Sequence, residues 1–271
     1  MEQAAILGTT KPVPSVTSDK VRAVLATRVI ILTTILVTWE LVARSGLLYR
    51  DVVPTLPRIG REFFLLFFDR VFYWHLGVTT GEVLLAVAIG GGSGIVVGVI
   101  LGRNRYLSGA FEPLVYYLGP TPKIIFFPIL IMWFGVGIGS KIAMGALSCF
   151  FPVAVSVAGS MRQVDTALIR VGLSFRLTAV QMFTKIYMPA MRIPVLNGTR
   201  IGLGVAIVGT LLAETKLANQ GLGYAVIQTY ATFNMPRMYA LLLVVFLLAV
   251  GVNSFLGRYT EARTVKKPVR G

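Results

Sequence analysis

The side chains of this chain that could do acid–base, nucleophilic or metal chemistry are few and scattered. His75 is the only histidine in 271 residues, which excludes an HExxH zinc site and any multi-histidine metal centre. Beside Trp74 it reads as an interfacial residue. Cys149 is the only cysteine and lies in an apolar run without a nearby histidine, so it reads as a small buried apolar residue and not as a nucleophile. Among the carboxylates only Glu40 falls well inside an apolar stretch, so no paired-carboxylate site is expected there. Arg44, one turn after Glu40, makes the pair a helical ion pair. Arg200 stands early in another apolar stretch, where its long stem can carry the charge to an interface. The inventory is too poor for an enzyme.

Two glycine groups and one lysine could serve ligands. Gly90, Gly94, Gly98 and Gly102 recur every four residues. No Lys-Ser/Thr follows them, so they read as a face on which two helices approach closely in lipid, and not as a phosphate loop. Gly135, Gly137 and Gly139 in WFGVGIGSK follow an apolar run and not a strand of a βαβ unit, so they read as a turn. Lys123 stands in GPTPKIIFFP, between Pro122 and Pro128, where a helix is interrupted. Facing a central cavity, its ammonium would favour an anionic solute; at an interface it would only anchor the helix.

The elements that must position these residues are membrane helices. The chain is 55% hydrophobic and 14% charged, with a mean hydropathy of +0.77, against roughly 45–50% and 25% for soluble domains. Stretches 83–102, 142–161 and 238–257 contain no charge, and each can cross a hydrocarbon core of about 30 Å. Weaker candidates are 29–48, 124–139 and 193–213, which makes about six spans. With both termini inside, sixteen Lys and Arg lie on the cytoplasmic side and seven outside. That asymmetry favours cytoplasmic termini. It also accounts for the net charge of +15 without nucleic acid. Residues 1–28 are polar and lack the short apolar core of a signal peptide, so they read as a retained cytoplasmic tail.

The inside loop 162–192 is long, basic and patterned. Asp165 can cap a helix with Leu168, Val171 and Phe175 on one stripe. Thr178 can cap a second, with Val180, Phe183 and Tyr187 on a stripe that Pro189 is expected to stop. Two such amphipathic helices could lie on lipid or form a docking surface for a soluble partner.

Several motifs together resemble the membrane subunits of binding-protein-dependent ABC importers of the nitrate/sulfonate/taurine branch, over about residues 52–262. They are VVPTLPRIGREF, PTPKIIFFPILIMWFGVGIGSKI, VDTALIR followed by IYMP, and AETKLANQGLGYAV. Counting back from Pro189, the family's Glu-Ala-Ala falls on Arg170-Val171-Gly172 and its following glycine on Arg176. Ile186 and Pro189 belong to the retained apolar end. A reversed charge and a bulky arginine at a turn glycine set this loop apart from the usual geometry.

The resemblance implies an all-α membrane protein of the type I importer permease fold. Its parts would be a cytoplasmic tail (1–28), a first span and outer segment (29–74), a permease domain (75–260) with coupling loop 162–192, and a basic cytoplasmic tail (261–271). It implies a multi-pass subunit of the bacterial inner membrane that moves a small, anionic solute handed over by a periplasmic binding protein. A second membrane subunit, expected to be an identical copy, completes the pathway. Cytoplasmic ATPase subunits would dock on the coupling loop and use ATP and Mg, while this chain binds no cofactor and no metal. A neutral or cationic vitamin precursor as solute, a transporter or channel without an ATPase, and a membrane scaffold are the alternatives.

Overall fold

The computed structural model describes residues 18–46 and 52–264, and the described residues are helices joined by short connections. The tails expected at 1–28 and 261–271 therefore fall largely outside the described residues. Residues 18–28, expected to be part of a polar tail, are instead the start of a helix. The chain divides into two compact units, residues 1–59 and 60–271.

In the first unit α1 (Ser18–Ser45) carries the Glu40–Arg44 pair at 2.6 Å. The second oxygen of Glu40 accepts from the Leu56 N–H at 2.8 Å, where α2 (Leu56–Leu66) begins. Glu40 thus caps one helix from the flank of another, a role that a charge inside an apolar stretch can fill only when a backbone donor is nearby.

The second unit is built on three long helices: α3 (Arg70–Arg103), α6 (Ile138–Arg162) and α9 (Met188–Lys216). Between α3 and α6 lie α4 (Arg105–Leu118), a 3-10 turn at Lys123–Phe126 and α5 (Phe127–Phe134). The two halves of this segment are bent by 96°, so in place of a straight span over 124–139 residues 105–134 form a broken span or a re-entrant loop. After α6 come α7 (Thr166–Ser174) and α8 (Ala179–Met182), and after α9 come α10 (Leu222–Ala231) and α11 (Met235–Thr264). Among the described residues, five helices are long and apolar enough to cross a bilayer, or six with the bent pair.

The central seam is α6 held between α3 and α9. Cys149, Val153, Val157 and Ala206 form its fully buried core. A Cβ at Gly90, Gly94, Gly98 or Gly102 would meet α6 within 2.2–2.8 Å, at Ala146, Phe150, Val157 and Met161 respectively. The opposite flank is built the same way: a Cβ at Gly202 or Gly209 on α9 would fall within 2.7 Å of Val153 or 2.5 Å of Ser148. Lipid tails are as apolar as the side chains, so close backbone approach and not hydrophobic exclusion holds such helices together.

Pro189 does not stop its helix. Phe183–Tyr187 form a π-turn and the helix runs on from Ala179 to Lys216. A proline clashes with the carbonyl four residues back in an α-turn, and the wider turn before it relieves that clash.

Candidate functional site

At the end of the bundle where α6 stops, the loop expected at 162–192 folds into two packed helices. The Asp165 side chain accepts from the Ala167 N–H at 2.8 Å and starts α7. Thr178 and Gln181 form a reciprocal capping box that starts α8. Gly172 is the contact point between them: a Cβ there would lie 2.5 Å from Ile186 Cδ1 and 2.8 Å from the Met182 thioether. A bulkier residue at 172 would require the ends of the Ile186 and Met182 side chains to move.

With Gly172 and Ile169 turned inward, α7 presents Leu168, Arg170, Val171 and Phe175 outward. All four are exposed, Phe175 to 77%. Leu173 and Val180 extend this apolar surface. Behind α7 a cleft of about 610 Å³ opens against the ends of α3 and α6, lined by Val99, Arg103, Met161 and Ile169 among others. Arg162, at the foot of α6, is held by a two-pronged ion pair to Glu112 on α4.

α7 ends in a turn that requires a left-handed residue. Arg176 N–H donates to the Leu173 carbonyl at 2.9 Å and Leu177 N–H to the Gly172 carbonyl at 3.1 Å, the paired bonds of a Schellman motif. The residue at its turning point is Arg176, with φ of 52°. The turn that favours glycine is formed with an arginine, at a cost of about 1 kcal/mol. Arg176→Gly is therefore expected to raise stability by up to about 1 kcal/mol. A thermal or SDS unfolding midpoint in detergent measures this, and a lowered midpoint would show that the side chain, not the backbone, dominates there.

Lys123 lies at the break between α4 and α5. Its ammonium donates to the carbonyls of Gly119 and Thr121 and sits 5.4 Å from the centre of the Phe151 ring. These carbonyls close the C-terminal end of α4, where a cation is favoured by the helix dipole.

A polar site that sequence reasoning missed lies at the other end of the unit. The expectation of no paired carboxylates is overturned. Glu82 on α3 and Glu214 on α9 are buried at 4% and 1% exposure, with Lys141 of α6 at 2%. The two carboxyls and the Lys141 ammonium lie within electrostatic range of one another. Glu214 also accepts from the Thr79 hydroxyl at 2.7 Å and the Gly223 N–H at 2.6 Å. Thr79 in turn accepts from the Leu222 N–H at 2.7 Å, and His75 Nδ1 from the Gly221 N–H at 3.1 Å. The start of α10 is thereby tied to α3 and α9. Gly221, at φ of 104°, is needed because a Cβ would lie 2.3 Å from the Glu214 carboxylate.

The error has a physical source. Charge-free windows mark where spans are most apolar, and Glu82 and Glu214 each lie one residue beyond an apolar stretch, at 83–102 and 193–213. Lys141 likewise lies one residue before the charge-free stretch 142–161. Helix packing, not lipid, surrounds all three. The signal available was positional: AETKLANQGLGYAV places Glu214 seven and nine residues before two glycines that let a backbone fold back onto it.

Long apolar helices with glycine-mediated seams and a charged, patterned loop at one end define an all-helical, multi-pass membrane transport subunit. The chain belongs to the family of binding-protein-dependent transport system inner membrane components, whose pattern its residues 94–264 match. It is 27% identical over 210 residues to a probable ABC transporter permease protein of Haemophilus influenzae, covering 78% of this chain and 85% of that one. It is 26% identical to the putative aliphatic sulfonates transport permease protein SsuC of Bacillus subtilis, over 86% and 84% of the two chains. Identity to the taurine transport system permease protein TauC of Escherichia coli is 27%, over 84% and 86%. In fold it is similar to a chain of the MetNI methionine ABC transporter solved in inward-facing conformations. The TM-score is 0.59 at 20% identity, covering 72% of this chain and 98% of that one. It is a permease component of the inner membrane and not itself an enzyme.

Proposed function

We propose that this chain is the permease of an ATP-driven importer for a small anionic solute of the sulfonate or taurine type. The names of the SsuC and TauC relatives support that solute class. The excess of basic residues at the α7 end supports an orientation with that end and both termini cytoplasmic. In this reading a periplasmic binding protein delivers solute at the α10 end, a second copy of the chain completes the pathway, and cytoplasmic ATPase subunits bind ATP and Mg.

The observation that carries the reading is the outward face of α7, an apolar stripe exposed on a helix that is braced from behind by Met182 and Ile186. A short helix seated in a groove of each ATPase can pass closure of the ATPase pair to the bundle as a rigid-body movement. ATP then acts by differential affinity for inward- and outward-facing states, with no chemistry in this chain. The bracing matters because a push on α7 must reach α9 through contacts that do not yield.

Leu168→Asp and Phe175→Asp are each expected to reduce solute-stimulated ATP hydrolysis in the reconstituted complex to the unstimulated level while the permease still inserts. Charge placed at the centre of a helix-in-groove contact loses at least about 2 kcal/mol of binding. Stimulation equal to that of the unsubstituted complex would remove the coupling assignment.

A further inference from the structure

Two arginines of the docking helix are exposed. Arg170 is exposed on α7 to one side of the apolar stripe of Leu168, Val171 and Phe175. Arg176 closes the same helix at a left-handed turn and is also exposed. Neither has a carboxylate partner among the described residues, whereas Arg162, Arg237 and Arg44 all do. Two unpaired guanidinium groups thus flank one apolar stripe, and one of them occupies a strained backbone position that an arginine fills only at a cost.

From this juxtaposition we infer that α7 selects an ATPase subunit whose receiving groove pairs an apolar floor with carboxylates facing Arg170 and Arg176. The inference rests on the docking reading above and adds the chemistry of the partner surface. A guanidinium offers a planar fork that matches a carboxylate in two parallel bonds, so the recognition is geometric as well as electrostatic. It also rejects a groove lined by Lys or Arg, which supplies specificity among the ATPases of one cell.

A protein partner fits better than an anionic lipid surface. The helix from Ala179 to Lys216 has 38 residues and spans about 57 Å at 1.5 Å per residue. A bilayer with its headgroups is about 40–45 Å thick. α7 packs on the first turns of that helix, at Met182 and Ile186, so its support extends past the headgroup layer.

The test uses the full-length permease purified from native membranes in mild detergent with its ATPase. The double variant Arg170→Glu/Arg176→Glu is expected to retain about tenfold less ATPase than the unsubstituted chain at low salt. The two should converge at high salt, where charge steering is screened. Separately, Arg170→Lys and Arg176→Lys place an amine where the guanidinium stood. Carbodiimide, which joins an amine to a carboxylate in contact with it through an amide, should then link position 170 or 176 to Asp or Glu of the ATPase. Unchanged retention at low salt in the charge-reversed variant overturns the inference, as does the absence of such a link. If the reversed variant instead loses only binding to phosphatidylglycerol-containing vesicles, the arginines serve lipid and the inference also falls. Leu168→Asp run alongside separates the two levels. Loss of ATPase there, with normal retention in the charge-reversed variant, removes only the charge pairing. Normal retention in both removes the docking reading as well.

Discussion

Lys141→Met is expected to destabilise the folded permease by about 3–5 kcal/mol, the cost of leaving a buried charge without its partner. The Glu82 and Glu214 carboxyls lie deep among α3, α6 and α9, within electrostatic range of Lys141. Lys141 supplies the compensating charge, and its ammonium is further held by the Val136 carbonyl. Methionine fills a similar volume, so the loss is electrostatic and not a cavity. Adding Glu82→Gln should recover a large part of it. The amide can donate to Glu214, whose charge then rests on Thr79, Gly223 and the N-terminal end of α10. Unfolding midpoints and monodisperse yield in detergent measure both effects. A single Lys141→Met variant as stable as the parent would show that the two carboxyls carry no net charge in the folded protein.

Gly98→Leu is expected to prevent α3 and α6 from docking, with little folded protein accumulating in the membrane. A Cβ at Gly98 would lie 2.6 Å from Val157 Cβ and 2.7 Å from the Ala154 carbonyl oxygen. The second obstacle is backbone, which no rotamer change relieves. Overpacking a tight core costs about 1–3 kcal/mol per site, and more where backbones must part. Gly92→Leu on the same helix is the internal control, because nothing lies within 4 Å of its Cβ position and the residue faces outward. Gly92→Leu should be tolerated or mildly stabilising, since glycine is the poorer helix former. Equal behaviour of the two variants would mean that the glycine face does not hold the seam.

Much of this protein is written locally in its chain. A run such as 142–161, without a charge, can only be a span, because hydrocarbon offers no solvation to anything else. Asp165 and Thr178 are legible as helix starts, since a side-chain acceptor beside an orphan N–H acts within three residues. The four-residue recurrence from Gly90 to Gly102 marks one helix face by geometry alone.

Other features depend on residues far apart in sequence, and only the tertiary structure decided them. Glu82, Lys141 and Glu214 look like flanking charges until three helices and the start of α10 enclose them, because burial is a property of the neighbours and not of the residue. Pro189 looks like a helix stop until the π-turn before it removes the clash. The 96° break at Lys123 and the left-handed Arg176 have the same origin: local preference costs about 1–3 kcal/mol, and packing of the surrounding helices supplies more. Composition, charge-free runs and loop patterning are enough to mark a multi-pass helical membrane protein with a patterned basic loop. The fold decided which charges are buried together and which, like Arg170 and Arg176, are left exposed.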